Sequence, residues 1–184
     1  MLHSKEGTIR IGVAFDVPPP WGPELTRARA ESGDPQAATI PAHVTLLGPT
    51  EIDPDQLSAV EEHLAAVAAD HHAFELLLRG TGTFRPISEV VFVAIASGIS
   101  ECELLAREIS AIDALTVPRA YPYHPHVTVA QDVPPDALDR IFEQLATFEA
   151  RFPVGGFTLF THTGELRSAN ARWHPQRDYE LPEP

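Results

Sequence analysis

Two stretches of this chain carry the same residue types in the same order: Pro41-Ala42-His43-Val44-Thr45 and Pro125-His126-Val127-Thr128. Along a β-strand, positions i and i+2 share a face. Read as strands, the stretches aim His43 with Thr45, and His126 with Thr128, to one side. Val44 and Val127 then face the other side and can enter a core. Histidine has an ordinary pKa of about 6.5, so both of its protonation states are accessible near neutral pH. One neutral and one protonated imidazole, on opposite sides of a phosphorus atom, can take a proton from water and give one to a leaving oxygen. Two threonine hydroxyls can donate hydrogen bonds to the non-bridging oxygens as charge builds there. This constellation would do acid–base chemistry on a phosphodiester without a metal. The substrate's orientation decides which histidine is acid and which is base.

A lone His-x-Thr triplet is common, so the weight of the motif lies in its context. Both copies read His-Val-Thr, both follow a proline within two residues, and both fall in the same slot of a repeated order. Residues 9–15 read as a buried strand and residues 24–31 as a helix, ended by Ser32-Gly33-Asp34-Pro35. The first motif strand follows and is closed by Gly48-Pro49. Asp53-Pro54-Asp55-Gln56 opens a helix with a capping aspartate and an early proline, and Leu57, Val60, Leu64 and Val67 form its apolar stripe. Residues 74–78 read as a strand, Gly80-Thr81-Gly82-Thr83 as a tight bend, and residues 90–96 as a second buried strand. Ser100-Glu101-Cys102-Glu103 has the form of a capping box, opening a helix with Leu105, Ile109 and Ile112 inward. The second motif strand comes next, then a helix from Pro135 with Leu138, Ile141, Leu145 and Phe148 inward. Strands at 156–161 and 171–181, around a polar turn at 164–170, close the chain.

Both halves thus run strand, helix, motif strand, helix, strand. The stripe Leu57, Val60, Leu64, Val67 maps onto Leu138, Ile141, Leu145, Phe148 with a constant shift of 81 positions, and the motifs are shifted by 83. A duplication accounts for this, with repeats of about 7–88 and 89–184 forming one bilobal domain over residues 1–184.

Composition bounds the partners. The chain has 184 residues, 43% hydrophobic and 21% charged, which suits a folded domain with a substantial core. The 18 prolines point to many short elements. The formal net charge is −13 and Lys5 is the only lysine, so tracking along a long nucleic acid is not expected. Cys102 is the sole cysteine, which excludes an intrachain disulfide. The apolar run at 9–17 is short, contains Asp16 and ends in three prolines, and no stretch approaches a membrane span. A cytoplasmic protein is the expectation, with a monomer favoured.

With these residues in view, the chain resembles the two-histidine phosphoesterases, which include the 2'-5' RNA ligase and 2',3'-cyclic phosphodiesterase group. The resemblance covers nearly the whole sequence: paired motifs, order of elements and lengths. It implies an α+β fold, bilobal and duplicated, with two small antiparallel sheets facing across a central cleft, helices outside and pseudo-two-fold symmetry. It implies a metal-independent phosphoesterase that hydrolyses a cyclic phosphodiester and has possible reverse 2'-5' ligation. The catalytic histidines carry over to His43 and His126 and the phosphate-binding hydroxyls to Thr45 and Thr128, with no cofactor. The implied partner is a small cyclic-phosphate nucleotide or an RNA terminus. One departure is plain: many relatives carry a basic residue shortly after the second motif, and here the continuation is Val129-Ala130-Gln131. Gln131 can hydrogen-bond substrate but cannot neutralise its charge.

Further substrate-binding candidates are Tyr121 and Tyr123, which could stack on a base, and Arg85, which could meet phosphate. Packing at the rim, and a surface ion pair, are the respective alternatives. His124 and His126 share a spacing seen in metal sites, but no third ligand is indicated. His71 and His72 fall in a loop, and Trp173 and Phe160 read as core or cleft wall. A non-catalytic nucleotide- or RNA-end-binding module using the same cleft, and a metal-dependent hydrolase, are the competing readings.

Overall fold

A computed structural model describes residues 7–184. The alternation that the motifs require is present. In β2 (His43–Ile52) and β5 (His126–Gln131), Val44, Leu46, Val127 and Val129 are buried, while His43, Thr45, His126 and Thr128 stand on the partly open face. β2 pairs antiparallel with β1 (Ile9–Asp16), placing His43 opposite Asp16. β5 pairs antiparallel with β4 (Val90–Ser97), placing His126 opposite Ala94.

Two four-stranded antiparallel sheets result. One has the order β2-β1-β7-β8, where β7 is Gly156–Thr163 and β8 is Arg172–Glu180. The other has the order β5-β4-β3-β6, where β3 is Phe74–Thr83 and β6 is Glu149–Val154. Each motif strand is therefore the edge of its sheet, and the two edges lie against each other across the middle of the molecule. β3 leaves the first half of the chain to join the sheet of β5, and β7 leaves the second half to join the sheet of β2. The helices follow the same exchange. α1 (Trp21–Glu31) packs on β5, and α3 (Ile99–Ile109) packs on β2. α2 (Leu57–Ala69) lies on β8 and α3, and α4 (Pro135–Gln144) lies on β3, β4 and β5. Leu25, Leu64, Leu105, Ile109, Leu138 and Ile141 turn inward from the helices and join both sheets in one continuous apolar cluster. No helix among the described residues is long and apolar enough to cross a membrane.

Several local expectations are corrected. β2 does not stop at Gly48-Pro49 but runs on to Ile52, with register irregularities opposite Val13 that absorb the extra residues. An edge strand tolerates Pro49 because its missing N–H faces no partner. Gly80-Thr81-Gly82-Thr83 is not a bend: Thr81, Gly82 and Thr83 pair with Val93, Phe92 and Val91 after a bulge. Ser100 does not cap α3. Gly98, with φ of 98°, makes the turn out of β4, and the helix starts at Ile99, leaving Ile112 beyond its end. β6 adds a strand that the sequence pattern hides, since Pro153 interrupts the alternation of Ala150, Phe152 and Val154, which are buried. The capping box at Asp53 and Gln56 is present, although it opens a short 3-10 turn that leads into α2.

Candidate active site

His43, Thr45, His126, Thr128, Gln131 and Trp173 border one cavity of about 460 Å³. A second cavity of about 570 Å³ adjoins it and shares Thr45, Phe84 and His126. The paired β2 and β5 edges thus bring both motifs to one hollow.

The two imidazoles are held alike. His43 Nδ1 lies 2.8 Å from the Pro41 carbonyl and His126 Nδ1 lies 2.7 Å from the His124 carbonyl. A carbonyl only accepts, so each Nδ1 carries the proton and each Nε2 is left bare in the neutral ring. Aromatic walls enclose both. The Trp173 ring centroid is 4.3 Å from that of His43. Phe84 and Phe92 stand 4.9 and 5.3 Å from His126.

That enclosure decides their ionisation. Burial pushes His43 down to about 4, against the opposing effect of its bond to Pro41, and the Arg29 guanidinium together with any proton taken up by His126 or His162 acts in the same direction as burial. Burial also lowers His126, against the opposing effect of its bond to the His124 carbonyl, and the neighbouring His124 ring lowers it a little further. Both rings are therefore neutral at pH 7 before substrate binds. This corrects the sequence-based assumption of two unperturbed histidines, which the walls around them make untenable.

The remaining candidates separate. Tyr123 lines the larger cavity, and its hydroxyl donates to the Thr45 carbonyl at 2.8 Å, tying the segment before β5 to β2. Tyr121 lines the same cavity and is 64% exposed, at its mouth. His124 borders it too, its ring near-parallel to that of His126 at 6.4 Å. Arg85 borders neither cavity. Its guanidinium donates to Asp139 at 2.8 Å and to Thr83 Oγ1 at 3.2 Å, which turns it toward α4 rather than toward a phosphate. His71, expected in a loop, is also partnered, with Glu108 at 2.6 Å. Among the described residues no three His, Cys, Asp or Glu side chains are grouped to hold a metal ion.

One residue of the cavity wall and one buried ring behind that wall escaped sequence reasoning. Arg29 borders the cavity of the histidines while being buried against Asp34. Its signal was present, since Leu25, Ala28 and Arg29 occupy one helical stripe and all three are buried. His162 is buried with neither ring nitrogen hydrogen-bonded, and it stacks against Trp173 with ring centroids 4.5 Å apart. Its ring occupies the space that a side chain at Gly12 would fill, with Cε1 only 2.6 Å from where a Cβ would stand. Burial and the charges of Arg10 and His174 push His162 down to about 4. No spacing in the sequence distinguishes this histidine from the other eight.

A Bacillus cytotoxicus protein named "Putative phosphoesterase" is 32% identical over 98 residues, which is 53% of this chain and 56% of that protein. A Bacillus thuringiensis protein of the same name is 28% identical over 152 residues, covering 80% and 83%. Among solved structures, E. coli LigT in its apo form has the same fold, with a TM-score of 0.69 at 23% identity over 96% of this chain and 99% of LigT. The 2'-5' RNA ligase superfamily matches residues 17–166, which hold both motifs, both cavity-bordering strands and the two helices that exchange between them. The chain belongs to the 2'-5' RNA ligase superfamily.

Proposed function

We propose that this protein is a metal-independent phosphoesterase that acts on a 2',3'-cyclic phosphate or on a 2'-5'-linked nucleotide or RNA end, with 2'-5' ligation as a second use of the same site. The observation that supports this reading is that His43 and His126 border one cavity and each engages its Nδ1 on a backbone carbonyl, leaving Nε2 free for chemistry. One neutral imidazole takes the proton of a water whose oxygen attacks phosphorus. The bond from phosphorus to the leaving ribose oxygen breaks, and the other ring, as imidazolium, gives that oxygen its proton. With a ribose hydroxyl in place of water, the same transfers join two ends without ATP. Thr45 and Thr128 share the faces of the two histidines, where their hydroxyls donate to the non-bridging oxygens. The substrate's own negative charge raises the pKa of the ring that must be the acid.

The repeated halves support the interchange of roles between the histidines. In LigT, solved structures hold 3'-AMP, ATP and NADP+, which favours a nucleotide as the ligand here as well. Turnover of 2',3'-cyclic nucleotides is the test. His43→Ala and His126→Ala are each expected to lower kcat by about 10²–10⁴-fold, and a chelator is expected to leave the wild-type rate unchanged. Binding of nucleotide by a wild type that never turns it over would instead favour a binding module.

A further inference from the structure

Arg29 and Asp34 form an ion pair whose side chains are only 5% and 1% exposed, beside the hollow that holds the histidines. The carboxylate accepts three hydrogen bonds. Oδ2 accepts from Arg29 Nε at 2.7 Å and from the backbone N–H of Gln131 at 3.1 Å, and Oδ1 accepts from the backbone N–H of Gln36 at 2.9 Å. Oδ1 is directed to Gln36 and receives nothing from Arg29, so Asp34 holds the guanidinium through Nε alone. The Nη1 and Nη2 groups make no hydrogen bond among the described residues, and Arg29 borders the same cavity as both His-Val-Thr motifs. An Arg–carboxylate pair built only to fasten elements together gains most from two parallel bonds, fork to fork. This pair withholds the second one. The other arginine of the cavity, Arg167, is already spent on Asp132, which takes both its Nε and Nη2.

A buried guanidinium with its terminal nitrogens unclaimed is stabilised by an anion, and its planar fork matches two oxygens of a phosphate. The neighbouring position fits this reading. Gln131 borders the cavity without a charge, and its backbone is fastened to the carboxylate that holds Arg29. Resting on the phosphoesterase reading of this cleft, we propose that Arg29, oriented by Asp34, is the cation that binds the substrate's phosphate. One deep, fixed cation recognises a single phosphate group rather than a run of them, so the substrate class is a mononucleotide or a chain terminus. The charge of Arg29 also reaches His43 and is among the influences that hold that ring neutral.

The experiment is calorimetric titration of inorganic phosphate into the wild type and into the double variant Arg29→Gln/Asp34→Asn, which removes both buried charges together. The expected result is about 10- to 100-fold weaker binding, the range of a charge-assisted hydrogen-bond pair. Gln131→Arg added to that background should recover part of the loss, which a merely structural role for Arg29 does not predict. A folded double variant that binds phosphate as the wild type does would overturn the proposal, and so would a wild type that does not bind phosphate at millimolar concentration. If the double variant fails to fold, Arg29→Lys decides: the charge stays and the fork is lost, so several-fold weaker binding is expected and unchanged affinity overturns the assignment. Cyclic-nucleotide turnover separates the two readings. Arg29-dependent phosphate binding without turnover removes the phosphoesterase and keeps Arg29. Turnover with phosphate inhibition indifferent to Arg29 does the reverse.

Discussion

The carbonyls of Pro41 and His124 do for the two histidines what a buried carboxylate does in many acid–base sites: they hold the ring and settle which nitrogen carries the proton. A carbonyl brings no charge to stabilise an imidazolium, so burial dominates and both rings stay neutral. The consequence for rate against pH can be signed. The productive state needs one neutral and one protonated ring. In the free enzyme both groups ionise below their ordinary value of 6.5, His43 at about 4. The kcat/KM profile should therefore be a bell displaced to the acid side of neutrality, falling about tenfold per pH unit on its alkaline limb. The kcat profile, which reports the complex with an anionic substrate, should lie at higher pH. Steady-state rates on a 2',3'-cyclic nucleotide between pH 4 and 9 check this, and a kcat/KM maximum above pH 7.5 would refute it. The sequence made His43, Thr45, His126 and Thr128 legible because strand periodicity and an internal repeat are local properties. It could not make their pKa values legible, because the walls that set them, Trp173 for His43 and Phe84 for His126, come from distant strands and loops.

At the scale of elements, the connection between β7 and β8 closes one end of the cavity, contributing Leu166, Arg167 and Ala171 to its wall. It is pinned to the end of β5 by Arg167, which donates to both oxygens of Asp132 at 2.7 and 2.9 Å. Both residues sit at positive φ, 61° and 56°, a conformation that costs a non-glycine residue about 1–2 kcal/mol. The clasp holds them there. Both side chains are about half exposed, so the pair's contribution to global stability is small, on the order of 1 kcal/mol or less. Its effect belongs to the wall of the site. Arg167→Ala and Asp132→Ala should each raise KM several-fold with a much smaller change in kcat, and the double variant should be no worse than either single one. KM values unchanged in both single variants would show that this wall does not contact substrate. The polar turn at 164–170 is legible in the sequence, but the clasp is not, since Asp132 and Arg167 are 35 positions apart.

For the molecule as a whole, the buried histidines tie stability to pH. A histidine whose folded pKa lies below its unfolded value is protonated first in the unfolded chain. Stability is then fully present above pH 6.5 and is lost as pH falls toward 4. His162 supplies the cleanest part of this, at 6% exposure and with no partner for either nitrogen: a shift from 6.5 to about 4 corresponds to about 3 kcal/mol. Asp16, raised by burial and by Asp178, works in the opposite direction, favouring the fold where its carboxyl is protonated. Thermal melts should therefore show Tm falling between pH 6.5 and 4.5. His162→Phe, which keeps a ring over Gly12, should flatten that slope, and an unchanged slope would remove His162 from the account. What the sequence determined by itself was periodic or repeated: the faces of the motif strands, the stripes of α2 and α4, the α+β order of elements and the matched halves. These are set by backbone geometry acting over a few residues. Only the tertiary structure decided that β3 and β7 change sheets, that Arg85 turns away from the cleft, that Arg29 borders the cavity of the histidines, and that His162 is buried against Trp173. Each of those outcomes depends on which distant surfaces are buried together, a choice made by the shared core and not by any local run of residues.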